Sequence, residues 1–230
     1  MNFSKGIKDG IPIALGYFSV SVAFGLMAVE AGCTWIEAML ISATNLTSAG
    51  QFAGVTVLAN MGSYLEMALT QAVINSRYAL MGIALSQKVT SRFKGIWRII
   101  LGFAITDEIF AVAIGQEGMI SRRYFAGLAV TPIIGWTAGT VAGAVLGNIM
   151  PEIITSALGV ALYGMFIAVV VPKVRENIQV LAVVAIAVAI SIALRYIPVF
   201  SGISSGFAII ICAVAASAAG AVFFPVKEAE

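Results

Sequence analysis

SATNLTSAGQFAG, residues 42–54, lies inside an apolar run that extends from about residue 35 to residue 60. Thr44, Asn45, Thr47, Ser48 and Gln51 interrupt that run around Gly50 and Gly54. Non-helical backbone survives at membrane depth only where it is buried in protein or lines a wet cavity. If the run lies in a bilayer, this stretch therefore marks a broken or re-entrant helix. The composition puts it there. Of 230 residues 60% are hydrophobic and only 10% charged, with a mean hydropathy of +1.02. A soluble domain carries roughly 25% charged residues, so this chain cannot cover itself with a polar surface.

Other classes fall away on similar grounds. The net charge of +2 supplies no basic stripe for a nucleic acid. Cys33 and Cys212 are far apart in sequence and stand in or beside apolar stretches, so they read as small hydrophobes. Histidine is absent, which removes the commonest metal ligand and the usual triad base and leaves proton handling to carboxylates. No phosphate loop, nucleophile–base pair or metal-ligand spacing is present, so neither an enzyme nor a cofactor is expected.

About 20 apolar residues cross the hydrocarbon core as a helix. Eight apolar segments can be marked, near residues 11–29, 35–60, 65–87, 96–115, 124–148, 152–171, 178–194 and 199–224. The first follows MNFSKGIKDG and runs into further apolar sequence, so it reads as a span that stays. No linker is long enough to separate two domains. The expected fold is all-α, a polytopic membrane helix bundle of about six to eight segments forming a single domain over residues 1–230.

The fourth segment carries Thr106-Asp107-Glu108 near its centre and is the second candidate for a broken or re-entrant helix. The basic residues test this through the positive-inside rule. If all eight segments cross, Lys and Arg divide seven to five, setting Arg77 aside. If the second and fourth enter and leave on one side, Lys5, Lys8, Lys88, Arg92, Lys94, Arg98, Arg122, Arg123, Lys173, Arg175 and Lys227 share one face. Only Arg195 is then opposite. That split favours six crossings with two re-entrant elements and both termini cytoplasmic. A faint internal repeat sets PIALGYFSVSVAFG (residues 12–25) against PIIGWTAGTVAG (residues 132–143), and GQFA (50–53) against GMFI (164–167).

Chemistry concentrates in few residues. AVINSRYALM, residues 72–81, places Arg77 in an apolar run, where a lone guanidinium costs several kcal/mol or more. Gln71, Asn75, Tyr78 and Gly82 share one helical face, while Arg77 points about 200° away from Asn75. Either the helix unwinds there, or Arg77 meets another neighbour. Asp107 and Glu108 are the acids deep in another segment. An Arg77 pair with one of them could simply lock two helices, or the charges could flank a substrate site, with the surplus acid holding a proton or an ammonium group. Gln51, at the interrupted stretch, could cap freed backbone or contribute to a site built at a helix break. Gly135, Gly139, Gly143 and Gly147 form a bare stripe against which another helix can pack closely.

GIPIALGYFSVSVAFGLMA, SAGQFAG, INSRYALMG and ITDEIFA, in this order between Gly10 and Ala111, resemble the AzlC family, the large subunits of branched-chain amino-acid exporters. The likeness continues more loosely through Pro132 and Gly135-Trp136. It implies a multi-pass secondary transporter of the bacterial inner membrane. Such a protein would act with a small AzlD-type membrane subunit and export branched-chain amino acids or methionine. By motif it points to Gln51, Asn75, Arg77, Asp107 and Glu108 as substrate-binding or proton-coupling residues. The family's third motif commonly reads Asn-x-Arg-His, whereas Tyr78 follows Arg77 here. Two rival roles, a passive channel and a non-transporting membrane scaffold, fit the same composition.

Overall fold

In the computed structural model, residues 2–91, 93–147, 153, 160, 164, 167, 170–172 and 174–225 are described. Among them the chain is helical apart from turns, loops and one isolated bridge between Val89 and Ile120. The helices are α1 (Phe3–Glu30), α2 (Trp35–Thr44), α3 (Ala49–Ala59), α4 (Tyr64–Lys88), α5 (Ile96–Gly102), α6 (Asp107–Ile114), α7 (Arg122–Leu146), α8 (Ile178–Tyr196) and α9 (Ser205–Phe223). Four of these, α1, α7, α8 and α9, are long and apolar enough to cross a membrane. Most of the sixth expected segment, Met165 and Phe166 of GMFI, and Arg92, Lys173 and Lys227 lie outside the described residues. By their contacts the residues form two compact units, Met1–Phe52 with Asn75–Ala161 and Ala53–Ile74 with Leu162–Glu230.

The first unit is organised by α1 and α7. Asn2 caps α1 by accepting from Lys5 N at 2.9 Å, and Ser121 caps α7 by accepting from Tyr124 N at 3.2 Å. The two helices pack in parallel. A Cβ on Gly6 would collide with Tyr124 O, one on Gly135 with Ala14 O, and one on Gly143 with Val22 O. The glycine stripe thus lets backbone meet backbone, which is how membrane helices gain dispersion contact where lipid offers no hydrophobic drive. The two limbs of the faint repeat are these helices. Each has an internal proline (Pro12, Pro132), and Gly10 faces Pro132 across the interface.

The chain then makes a half-depth excursion. α5 and α6 have seven and eight residues, about 10 and 12 Å of helix, too short to cross the ~30 Å hydrocarbon core. They begin and end at one end of the bundle. Arg122, at the start of α7, lies over the Trp97 ring at 4.4 Å, and Lys5 Nζ donates to Gln116 Oε1 at 2.7 Å. Lys88, at the C-terminus of α4, donates to Ile114 O at the same end. The fourth segment is therefore re-entrant, as the charge distribution suggested. It is seated on a core of Leu85, Phe93, Leu101, Ile109, Ile120 and Phe125.

The direction of α4 carries a second consequence. Had every segment crossed, α4 would run with α1 and end far from the α1 N-terminus. Its C-terminal half instead descends to the end where α1 begins, so this half of α4 runs against α1. α2 and α3, with ten and eleven residues, are again half-span helices. The break between them lies at Asn45–Ser48, not around Gly50 and Gly54 as the sequence suggested. Asn45 is extended (φ −145°, ψ 99°) and Ser48 takes a left-handed φ of 48°. Gly50 and Gly54 are inside α3. α4 is continuous through Asn75 and Arg77, so Arg77 finds its partner without unwinding.

In the second unit α8 and α9 pack together, with Gly220 close to Val183. No residue of α8 is buried by protein, as suits an apolar helix facing lipid. Glu66, in the first turn of α4, is 4% exposed and caps α9. Its Oε1 accepts from Gly206 N at 2.9 Å and from the Ser204 hydroxyl.

Candidate functional site

The tip of the re-entrant hairpin sits at mid-bundle. Phe103–Thr106 joins its two short helices, and Thr106 caps α6, its hydroxyl oxygen accepting from Ile109 N at 3.4 Å. The same oxygen lies 2.7 Å from Tyr17 Oη, halfway along α1. Asp107 and Glu108 are the first two residues of α6, where the positive end of the helix dipole favours negative charge.

Each acid has its own partner. Asp107 Oδ2 forms an ion pair with Arg77 Nη1, both side chains 39% exposed. Glu108 Oε2 accepts from Tyr17 Oη. Because a tyrosine has one O–H, donating it to Glu108 leaves its oxygen to accept the Thr106 hydroxyl. The Tyr17 ring stands edge-on to Trp136 of α7 at 5.3 Å.

Arg77 also reaches the other broken segment. Its Nη2 donates to Tyr78 Oη at 3.2 Å, with the guanidinium carbon 4.9 Å from that ring's centroid. Tyr78 Oη in turn donates to Thr47 O at 3.4 Å, within the Asn45–Ser48 break. Arg77 and Tyr78 on one continuous helix therefore link both half-helix tips, through a carboxylate on one side and a freed carbonyl on the other.

Gln51 belongs to a neighbouring network. It is 1% exposed, and its Nε2 donates to Ser42 Oγ at 3.1 Å. Ser42 Oγ lies 2.6 Å from Thr140 Oγ1, which donates to Trp136 O at 3.0 Å. One consistent proton arrangement runs from Gln51 through Ser42 and Thr140 to the carbonyl. Gln51 Oε1, Thr47 Oγ1, Ser48 Oγ, Arg77 Nε and Trp136 Nε1 are buried polar atoms without a hydrogen-bond partner. Asn75 is half-buried on α4, three residues before Tyr78 on the face they share.

The structure thus joins Arg77 to Asp107, holds Glu108 beside them through Tyr17, and places Gln51 on the hydroxyl network of α2 and α7. Sequence reasoning missed Tyr17, Thr106, Ser42 and Thr140. A tyrosine in a membrane span must find a partner for its hydroxyl, and a threonine directly before two acids is an N-cap pattern. These signals point to Tyr17 and Thr106. Glu66 was also missed, since it stood at a segment edge.

The AzlC protein family model matches residues 12–150. The chain belongs to the AzlC family. That match contains all five candidate residues and both half-helix tips. AzlC relatives include the Escherichia coli inner membrane protein YgaZ, 32% identical over 143 residues, which are 60% of this chain and 58% of that protein. An uncharacterized membrane protein of Archaeoglobus fulgidus is 31% identical over 138 residues, 60% of this chain and 59% of that protein. One from Helicobacter pylori strain 26695 is 26% identical over 148 residues, covering 60% and 63%. The chain thus spans less than two thirds of the length of these curated relatives. No solved structure matches. The AzlC chain is a multi-pass membrane protein, and its AzlC region coincides with the part that carries the charged cluster.

Proposed function

We propose that this chain is a single-domain secondary transporter subunit of the bacterial inner membrane that exports branched-chain or similar apolar amino acids. It acts with a small AzlD-type membrane subunit and exchanges substrate for protons. One observation carries the reading: a partly accessible Arg77–Asp107 pair stands between two half-helix tips, with a second carboxylate one residue away. A merely structural lock needs one acid and no opening to its surroundings.

A zwitterionic amino acid needs an anion for its ammonium group, a cation or helix N-terminus for its carboxylate, and an apolar wall for its side chain. Asp107 takes the ammonium. Arg77 and the N-terminus of α3, whose first turn holds no acid, take the carboxylate. Substrate therefore competes with the protein's own ion pair, and the site alternates between pairing with itself and pairing with cargo. Glu108, held by Tyr17, is the surplus acid that carries the proton in a chain without histidine. Asn75 and Gln51 supply amide groups at the edges. The unpartnered polar atoms along α3, α4 and α7 add support, because each costs about 1–3 kcal/mol when left unsatisfied.

The test is efflux of preloaded labelled valine, leucine and methionine from exporter-deficient cells expressing the chain with and without an AzlD-type subunit. Partner-dependent, saturable, gradient-sensitive efflux that disappears in Arg77→Ala and Asp107→Asn at matched membrane levels is the expected result. Efflux that neither saturates nor responds to the gradient would establish a passive channel. No efflux under any condition would leave a scaffold.

A further inference from the structure

α4, α5 and α7 line a half-open pocket of about 190 Å³ whose walls include Gly82, Leu85, Ser86, Arg98, Gly102 and Ile105. Gly82 lies one helical turn beyond Tyr78, about 6 Å along α4, and Ile105 is two residues before Asp107 in the hairpin tip. The pocket therefore adjoins the charged cluster on the side of the basic end. Two wall positions have no side chain. A Cβ on Gly82 would come no closer than 4.0 Å to Ile105 Cδ1, and one on Gly102 would meet nothing within 4 Å. These glycines differ from those of the α1–α7 interface, where backbone occupies the space a Cβ would need.

We propose that this pocket receives the side chain of the transported amino acid, with Gly82 and Gly102 setting its size limit. The inference rests on the transport reading above and names the specificity element of that same site. A dry apolar cavity of about 150 Å³ accepts a benzene molecule, so this pocket suits one branched alkyl or thioether side chain. The walls around that volume are mostly apolar, with Ser86 and Arg98 as their polar members, and the charges that would hold the ammonium and carboxylate stand at Asp107 and Arg77. Apolar volume and charge are thus arranged as a zwitterion with an aliphatic tail presents them.

The test is competitive efflux in the AzlD-type partner background, with labelled leucine, valine, methionine, phenylalanine and alanine loaded together so that each ratio is internal to one sample. Gly82→Ala and Gly102→Ala add a methyl group at the pocket wall without a collision, and alanine within α4 favours the helix. Each should lower leucine and methionine export relative to alanine by about 10-fold or more, the discrimination a hydrophobic pocket achieves for one methylene-sized change. Ile105→Ala widens the pocket and should raise phenylalanine export relative to leucine. Unchanged ratios in all three variants, or an equal fall for every amino acid, would overturn the pocket assignment while leaving a transporter. A wild-type chain that exports none of the five would overturn the transport reading and this inference together.

Discussion

Adding one methyl group at two positions of α1 should have opposite effects. A Cβ on Gly25 would fall 2.7 Å from Ala144 N and closer still to Thr140 O, both backbone atoms of α7. Comfortable contacts are about 3.5–4.0 Å, so the parallel helices must part by roughly 1 Å near that crossing. Neither backbone can swing aside as a flexible side chain would, which places the cost toward the upper end of the ~1–3 kcal/mol range for overpacking. On Gly16 a Cβ meets nothing within 4 Å, and alanine gains up to about 1 kcal/mol of helix propensity. The two variants should differ by roughly 2–4 kcal/mol. For a chain of this size, at roughly 2–4 °C per kcal/mol, that is about 5–15 °C in Tm. Thermal unfolding of purified protein in detergent, followed by fluorescence of the buried Trp136, measures it. Equal melting temperatures for Gly25→Ala and Gly16→Ala would refute the parallel α1–α7 interface.

Other consequences concern single contacts. A thermodynamic cycle of Arg77→Gln, Asp107→Asn and the double variant should give a coupling of about 1–3 kcal/mol, between the values for exposed and buried pairs. Zero coupling in thermal or chemical unfolding would remove the pair. Exchanging the two residues should recover only part of that coupling, because an arginine at position 107 would face the positive end of α6; full recovery would contradict the helix-terminal placement. Tyr17→Phe should destabilise by about 1–3 kcal/mol by releasing Glu108 and the Thr106 cap, seen as faster hydrogen exchange across residues 103–110. Glu66→Ala should cost about 1–3 kcal/mol by stranding Gly206 N at the start of α9, whereas Glu66→Gln, which keeps an acceptor oxygen, should retain most of it. Equal losses in both Glu66 variants would contradict its capping role.

Legibility in the sequence followed the strength of the local signal. The bilayer class, the re-entrant fourth segment and the close packing of the glycine stripe were readable, because apolar composition, lysine and arginine asymmetry and four-residue spacing each act over many positions. The Arg77 partner was narrowed to Asp107 or Glu108 because few acids lay deep in the apolar segments. The break in the second segment was misplaced onto Gly50 and Gly54, although the left-handed residue is Ser48. Glycine inside a membrane helix serves close approach as often as a turn, and spacing alone cannot separate those uses. Tyr17 and Thr140 escaped notice because their hydroxyls are paired by long-range contacts with residues 89 or more positions away and 98 away. No local pattern encodes such a pairing.

The most direct test of the central claim is gradient-driven valine efflux from proteoliposomes containing the chain and an AzlD-type subunit, comparing wild type with Asp107→Asn and Arg77→Ala. The account predicts saturable efflux that requires the proton gradient in the wild type and is lost in both variants despite equal incorporation. Wild-type rates in both variants, or valine flux independent of concentration and gradient, would contradict it.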